Sequence, residues 1–135
     1  MRIPSFRAWD KVDKKVRKVM SLDFYNTRQW EVTLASDGDI YLRDFEQIEL
    51  MQYTGLKDKN GVEIYDGDIV HWKDLEDVSE VPFDDFVKVE YSDEFMKWVG
   101  VERCGSSKDL YDYSDNRELE VLVNIYENKG LLNGL

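Results

Sequence analysis

Two short patterns in this chain carry the residue types of a cation loop: Asp58-Lys59-Asn60-Gly61 and Asp66-Gly67-Asp68. Carboxylate and amide oxygens spaced around a glycine turn are the donors that calcium takes. The spacing of an EF-hand is not met. With Gly61 at loop position 6, position 1 is Leu56 and position 12 is Gly67. With Gly38 at position 6, positions 1 and 3 are Thr33 and Ala35. Asp66 and Asp68, two carboxylates at i and i+2, could still converge in a turn; a calcium titration that gives no heat removes them as a site. The structural reading of the same residues is turn chemistry. Asp58, Asn60, Asp66 and Asp68 are expected to hydrogen-bond the backbone of their own turns. Gly55, Gly61 and Gly67 are expected where a side chain would cost energy.

Nucleophilic and nucleotide chemistry find little support. The chain has one histidine, His71, and one cysteine, Cys104. A Ser-His-Asp arrangement would need His71 as its base; it stands between Val70 and Trp72 in a strand-like run, where a surface or satisfied histidine is the simpler reading. Cys104 has no histidine near it in sequence, and a lone cysteine forms neither an intrachain disulfide nor a multi-cysteine metal site. Neither GxxxxGK[ST] nor GxGxxG occurs, and there is no HxE…CxxC deaminase signature. With 29 acidic residues, choosing any one pair as glycosidase carboxylates is arbitrary. No catalytic residue, metal or cofactor is expected.

The charge is unevenly distributed. The net charge is −11, but residues 1–28 hold eight Lys/Arg against three acids, and residues 29–135 hold ten against 26. The segment 74–85 has six acids (Asp74, Glu76, Asp77, Glu80, Asp84, Asp85) and no base. So acidic a chain repels phosphate at long range, which disfavours nucleic acid as a partner. A sharper reading of the acids is a face for a basic protein surface, with mimicry of nucleic acid as its special case. The alternative is a nucleic-acid-associated replication or regulatory factor using the basic segment: Arg7, Lys11, Lys14, Lys15, Arg17 and Lys18.

The elements that would position these residues are strands. Alternation over Phe6–Trp9 and Val16–Met20 suggests a hairpin turning at 10–15. A helix over 10–20 is the rival, because Val12, Val16, Val19 and Met20 also fit helical spacing. Trp30–Leu34 and Ile40–Leu42 flank an Asp-Gly turn, a strong hairpin signal. Short strands are expected over 45–53, 62–64, 69–72, 86–91 and 95–101, with the cleanest alternation over 118–125; 105–116 reads as loop. No run approaches the ~18–20 apolar residues of a membrane helix, and the first residues show no apolar segment of a secretory signal. With two prolines, no Gly/Ser-rich linker and no repeat, one domain over 1–135 is expected. Its class is mainly β with little helix: a small SH3-like, partly open barrel elaborated with extra hairpins.

The motifs together resemble one family. Phe6-Arg7-Ala8-Trp9-Asp10 is similar to the N-terminal signature of the YopX family, found in phages and prophages of Gram-positive bacteria. Met51-Gln-Tyr-Thr-Gly-Leu-Lys-Asp-Lys-Asn-Gly61 and Glu63-Ile-Tyr-Asp-Gly-Asp-Ile-Val70 are similar to its central signature. Val89-Glu90-Tyr91, Leu119-Glu120-Val121 and Asn124-Ile125-Tyr126-Glu127-Asn128 match later blocks in order. Val123 stands where the family often has glycine, and Lys129-Gly130 where it often has Pro-Glu. The resemblance implies a β-rich, phage-encoded protein acting in the cytoplasm of a bacterial host; it brings no activity and no catalytic residues. Its signature (Phe6, Trp9, Tyr53, Gly55, Asn60, Gly61, Gly67, Asp68, Tyr126) reads as a fold recipe, with Phe6, Trp9, Tyr53, Ile64, Ile69, Trp72 and Tyr126 expected in the core.

The expected function is therefore that of a phage accessory protein, a non-enzymatic module binding a host or phage protein. Its expected contacts are the acidic residues of 74–85 and the pair Tyr111 and Tyr113, since loops and exposed aromatics carry recognition. Homo-oligomerisation would cover the edge strands of a small β domain.

Overall fold

The computed structural model describes residues 3–24, 31–72, 85–102, 107–110 and 119–127. Among these residues eleven strands follow in order: β1 Phe6–Asp10, β2 Lys15–Leu22, β3 Val32–Ser36, β4 Asp39–Arg43, β5 Ile48–Lys57, β6 Glu63–Tyr65, β7 Asp68–Trp72, β8 Asp85–Ser92, β9 Lys97–Glu102, β10 Ser107–Asp109 and β11 Glu120–Asn124. A 3₁₀ turn, Phe45–Gln47, precedes β5. The strands form two antiparallel sheets, ordered β4-β3-β2-β1-β5-β6 and β10-β9-β8-β7-β11. The chain is mainly β, as its sequence predicts, and the two sheets do not close into a barrel.

The chain divides into two compact units, residues 1–53 and 54–135, with the division inside β5. In the first unit, Asp10 pairs with Lys15, which closes the β1–β2 hairpin. The hairpin reading of 6–20 is thus the observed one. Of the four residues that fit helical spacing, Val12 and Met20 are exposed and Val16 and Val19 are half-buried, so they share no one face. The register of β2 shifts between Val19 and Ser21. A bulge adds one residue to a strand, so Val19 and Leu22, three apart, both stand against the core while Met20 is exposed. The core is Ala8, Val32, Leu34 and Ile48, with Val19, Leu22, Tyr41, Phe45 and Leu50 packed on it.

The second unit has its own core of Ile64, Val70, Val87, Val89, Leu110 and Leu119, with Leu56, Trp98 and Val121 around it. Val70 is opposite both Val87 and Val121, so one face of β7, β8 and β11 supplies much of it. β11 carries its own register shift between Val121 and Val123, which leaves Leu122 exposed. One sequence expectation needs correction here. The stretch 105–116 contains β10, which pairs with Val99–Val101 of β9. Its residues Ser107, Lys108 and Asp109 have no apolar alternation to signal a strand; it is held by backbone pairing and by the cross-strand ion pairs Lys97–Asp109 at 3.4 Å and Lys108–Glu102 at 3.6 Å.

Candidate functional site

The most heavily charged cluster in the described structure is built on the first sheet. Cross-strand partners point to the same face. Ala8 opposes Arg17, Leu34 opposes Tyr41 and Val32 opposes Arg43. Arg17, Tyr41 and Arg43 therefore share the core face with Asp10, which lies two residues beyond Ala8 on β1. Asp10 is fully buried, and Arg17 is 4% exposed. The Asp10 carboxylate accepts from Arg17 Nε at 3.1 Å, from Arg43 Nε at 3.0 Å and Nη2 at 3.1 Å, and from the Val12 N–H at 3.1 Å. Asp13 takes the remaining reach of both arginines, at 2.9 and 3.1 Å. The Arg17 guanidinium lies 3.7 Å from the Tyr41 ring centre, a cation–π contact.

Burial alone would raise the pKa of Asp10. The hydrogen bonds from Arg43, the Val12 N–H and Arg17, with the charge of Arg43, outweigh burial and leave it below its ordinary value. Burial likewise works against the Arg17 charge, and Asp10, Tyr41 and Asp13 overcome it, so its pKa is raised. A carboxylate held ionised between two guanidiniums has no proton to give. This cluster is a structural lock rather than a general acid.

A second cluster organises the turns of the second unit. Asp58 Oδ1 accepts from the Asn60 N–H at 2.8 Å and the Val62 N–H at 2.9 Å, and Oδ2 accepts from the Val121 N–H at 3.0 Å. One buried carboxylate thus shapes its own turn and ties it to β11, 63 residues away. The Lys59 N–H donates to the Leu119 carbonyl at 2.9 Å beside it. Asp68 Oδ2 accepts from the Tyr65 N–H at 2.8 Å, and Asn124 Oδ1 accepts from the N–H groups of Tyr126 and Glu127 at 3.0 and 2.9 Å. The turn roles read from the sequence for Asp58 and Asp68 are the ones these bonds describe. Asp58→Asn is expected to lower stability by about 1–2 kcal/mol. The amide oxygen can serve Asn60 and Val62, but the NH₂ then faces the Val121 N–H. Urea denaturation measures the loss.

The third feature is the tip of the β8–β9 hairpin. Ser92 pairs with Lys97, and residues 93–96 turn the chain. Phe95 and Met96, read from the sequence as part of a strand, occupy this turn and are 59% and 77% exposed. Met96 has φ 53°, in the left-handed region. Below the tip, Tyr91 and Trp98 meet edge to face with ring centres 5.3 Å apart. Asp93 and Glu94 are exposed on the same turn.

The residues singled out in the sequence are distributed as follows. Asp74, Glu76, Asp77, Glu80, Asp84, Tyr111, Tyr113 and Cys104 lie outside the described residues. Asp85 opens β8, its backbone opposite Trp72. Of the six basic residues, Arg17 is withdrawn into the Asp10 cluster and is no surface cation, which corrects its place among nucleic-acid contacts. Lys11 pairs with Glu49 at 3.1 Å and donates to the Glu46 carbonyl. Lys14, Lys15 and Lys18 are exposed and Arg7 half-buried. Lys15 and Lys18, three apart on β2, point to opposite faces, so the group does not form one surface. His71 is half-buried, its ring 5.4 Å from that of Phe86.

Among the expected core residues, Ile64 and Ile69 are buried, whereas Phe6, Trp9, Tyr53 and Tyr126 are half-buried. Gly55, Gly61 and Gly67 all have positive φ. Among the described residues no group of three or more His, Cys, Asp or Glu is placed to hold a metal ion. The sequence reading missed the Asp10 cluster and the Phe95-Met96 tip. Signals existed for both: Asp10 closes the N-terminal signature, and Phe95-Met96 directly follows the turn-forming Ser92-Asp93-Glu94.

Comparison with known proteins agrees with this architecture. The crystal structure of protein EF1440 from Enterococcus faecalis is similar, with a TM-score of 0.66 and 26% identity over 98% of this chain and 99% of that one. No curated protein matches the chain. The family model described as YopX protein matches residues 5–133, spanning both units, and by that match the chain belongs to the YopX family.

Proposed function

We propose that this chain is a non-enzymatic protein-interaction module, of phage or prophage origin and active in the cytoplasm of a bacterial host, that binds a host or phage protein through the β8–β9 tip. The observation that carries this reading is the pair Phe95 and Met96, held out on a turn at 59% and 77% exposure. Among the described residues three that are not glycine have positive φ: Lys14, Asp37 and Met96. The left-handed conformation costs an L-residue about 1–2 kcal/mol. Lys14 and Asp37 carry charged side chains that water solvates, whereas Met96 sets an apolar side chain 77% exposed. Paired with a phenylalanine above an aromatic pair, it has the make-up of a recognition anchor. Asp93 and Glu94 flank the anchor on a chain of net charge −11, so the fitting partner is an apolar recess rimmed by lysine and arginine.

The test uses the tagged protein in a bacterial host, crosslinked, with co-purifying proteins identified by mass spectrometry. Wild type is expected to enrich a partner. Phe95→Ser/Met96→Asn is expected to lose it by at least about 30-fold in affinity, the effect of one hot spot of ~2 kcal/mol. The variant's melting temperature should not fall, because both side chains are exposed and Asn tolerates positive φ better than Met. A wild-type preparation with no partner above background overturns the reading.

A further inference from the structure

β4 ends the first sheet, and among the described residues only β3 lies beside it. We infer that β4 pairs antiparallel with β4 of a second copy of this chain, forming a two-fold dimer. This interface is independent of the tip reading, since β4 belongs to residues 1–53 and the tip to residues 54–135.

Edge strands are ordinarily protected by lysine, proline, bulges or inward charges; β4 carries one inward charge, Arg43, and Asp10 and Asp13 neutralise it. β4 pairs with β3 without a register shift through all five of its residues, Asp39-Ile40-Tyr41-Leu42-Arg43, which include no proline, glycine or lysine. Ile40 is 62% and Leu42 42% exposed. Among the described residues the strand is thus regular and open, with two exposed apolar side chains.

The phase of its backbone is fixed by the turn before it. Asp37 and Gly38 have φ of 54° and 84°, the two positive values of a type I′ hairpin turn. Such a turn makes Ser36 and Asp39 the closing hydrogen-bonded pair. Asp39, Tyr41 and Arg43 therefore address β3, and the peptide groups of Ile40 and Leu42 point outward. Only one antiparallel register uses the outward groups of both residues on both strands. It sets Tyr41 opposite Tyr41 on the two-fold axis and Ile40 opposite Leu42 of the partner subunit, twice over, with four N–H···O=C bonds. The same register places Asp39 opposite Arg43 of the partner subunit, so no like charges face each other across the seam. The Ile40 and Leu42 side chains of the two copies then form one apolar row. Arg43 Nη1 already donates to the Leu42 carbonyl at 2.9 Å, but a carbonyl oxygen accepts two bonds.

An interface between two five-residue edges is small, below the ~1,200 Å² of standard complexes, so the dimer is expected to be weak and concentration-dependent. Sedimentation equilibrium of the full chain, from about 10 µM to about 1 mM, should show a monomer–dimer equilibrium. Ile40→Lys/Leu42→Lys should remain monomeric across the range with an unchanged melting temperature, both side chains being exposed. The register has its own test in a Cys104→Ser background. Ile40→Cys/Leu42→Cys should give a covalent dimer under mild oxidation. Either single cysteine should not, because it faces an isoleucine or leucine in the partner. A wild type that is monomeric at every concentration overturns the proposal. So does an assembly that survives the lysine pair, or single cysteines that crosslink as well as the double.

Discussion

Asp10→Ala is expected to lower the stability of the protein by about 3–5 kcal/mol and its melting temperature by roughly 10–20 °C. The magnitude follows from what the substitution strands. Arg17 is 4% exposed and donates to Asp10 through Nε, and Arg43 engages both Asp10 oxygens. Without the carboxylate, two guanidiniums face each other in the sheet's buried face, and Asp13, on the rim with its side chain 41% exposed, is left to serve both. Deleting one member of a buried ion cluster costs far more than the cluster's net contribution, because the remaining charge keeps its desolvation penalty and loses its partner. Asp10→Asn should cost less than Asp10→Ala, since the amide keeps the shape and one acceptor. Thermal and urea denaturation of the two variants would establish the order; equal, small losses would mean that water reaches the arginines.

The same residue sets a pH dependence whose sign is fixed. The folded pKa of Asp10 is lowered, because Arg43, the Val12 N–H and Arg17 outweigh burial. Its contribution is therefore fully present above the unfolded value near ~3.9 and is lost as pH falls through the folded value. Wild type should lose stability in acid through this group, while Asp10→Asn lacks that component. The gap between the two should narrow as pH falls from about 5 to about 3.

The contacts of the Asp10 cluster could not be read from local pattern. Asp10 is 7 residues from Arg17 and 33 from Arg43, and the registers of β1 with β2, β2 with β3 and β3 with β4 together bring them to one face. What depends on one turn was legible. The Asp37-Gly38 turn, the bonds of Asp58 to Asn60 and Val62, and that of Asp68 to Tyr65 span four residues or fewer. The N-terminal hairpin was legible only as one of two options, because Val12, Val16, Val19 and Met20 fit helical spacing too; in the structure Val12 lies in the hairpin turn and Met20 is exposed where the β2 register shifts. The aromatics misled for a related reason. Phe6 and Trp9 are three apart on an unbulged strand and face opposite sides, so they could not share one core; the small Ala8 between them is the fully buried residue. The interior between the strands is filled by aliphatics such as Leu34, Val32 and Ile48, and Phe6, Trp9, Tyr53 and Tyr126 stand half-buried.

Gly67→Ala is the second large expected effect, about 2–3 kcal/mol against roughly 1 kcal/mol for Gly38→Ala and Gly61→Ala. All three glycines have φ between 80° and 84°, so the conformational cost to an L-residue is shared. Their surroundings differ. A Cβ at Gly38 or Gly61 meets nothing within 4 Å, whereas at Gly67 it would lie 3.2 Å from Tyr126 Cε2 and 3.5 Å from Ile125 Cγ1. Retreat of the backbone is opposed on both sides of the residue: the Gly67 N–H donates to the Val89 carbonyl at 2.8 Å, and its own carbonyl accepts from the Ile125 N–H at 2.9 Å. Tyr126 is held in turn, since its N–H donates to Asn124 Oδ1 at 3.0 Å. The residue thus sits where β7, β8 and the turn after β11 converge, which gives a physical reason for glycine in the Asp-Gly-Asp of the central signature. A double-mutant cycle separates the two costs. In a Tyr126→Ala background the penalty for Gly67→Ala should fall to that of Gly61→Ala, because the contact has gone and only the backbone conformation remains. A penalty at Gly67 that is no larger than at the two open glycines in the wild-type background would show that the Tyr126 ring yields freely, and would remove the packing half of the argument.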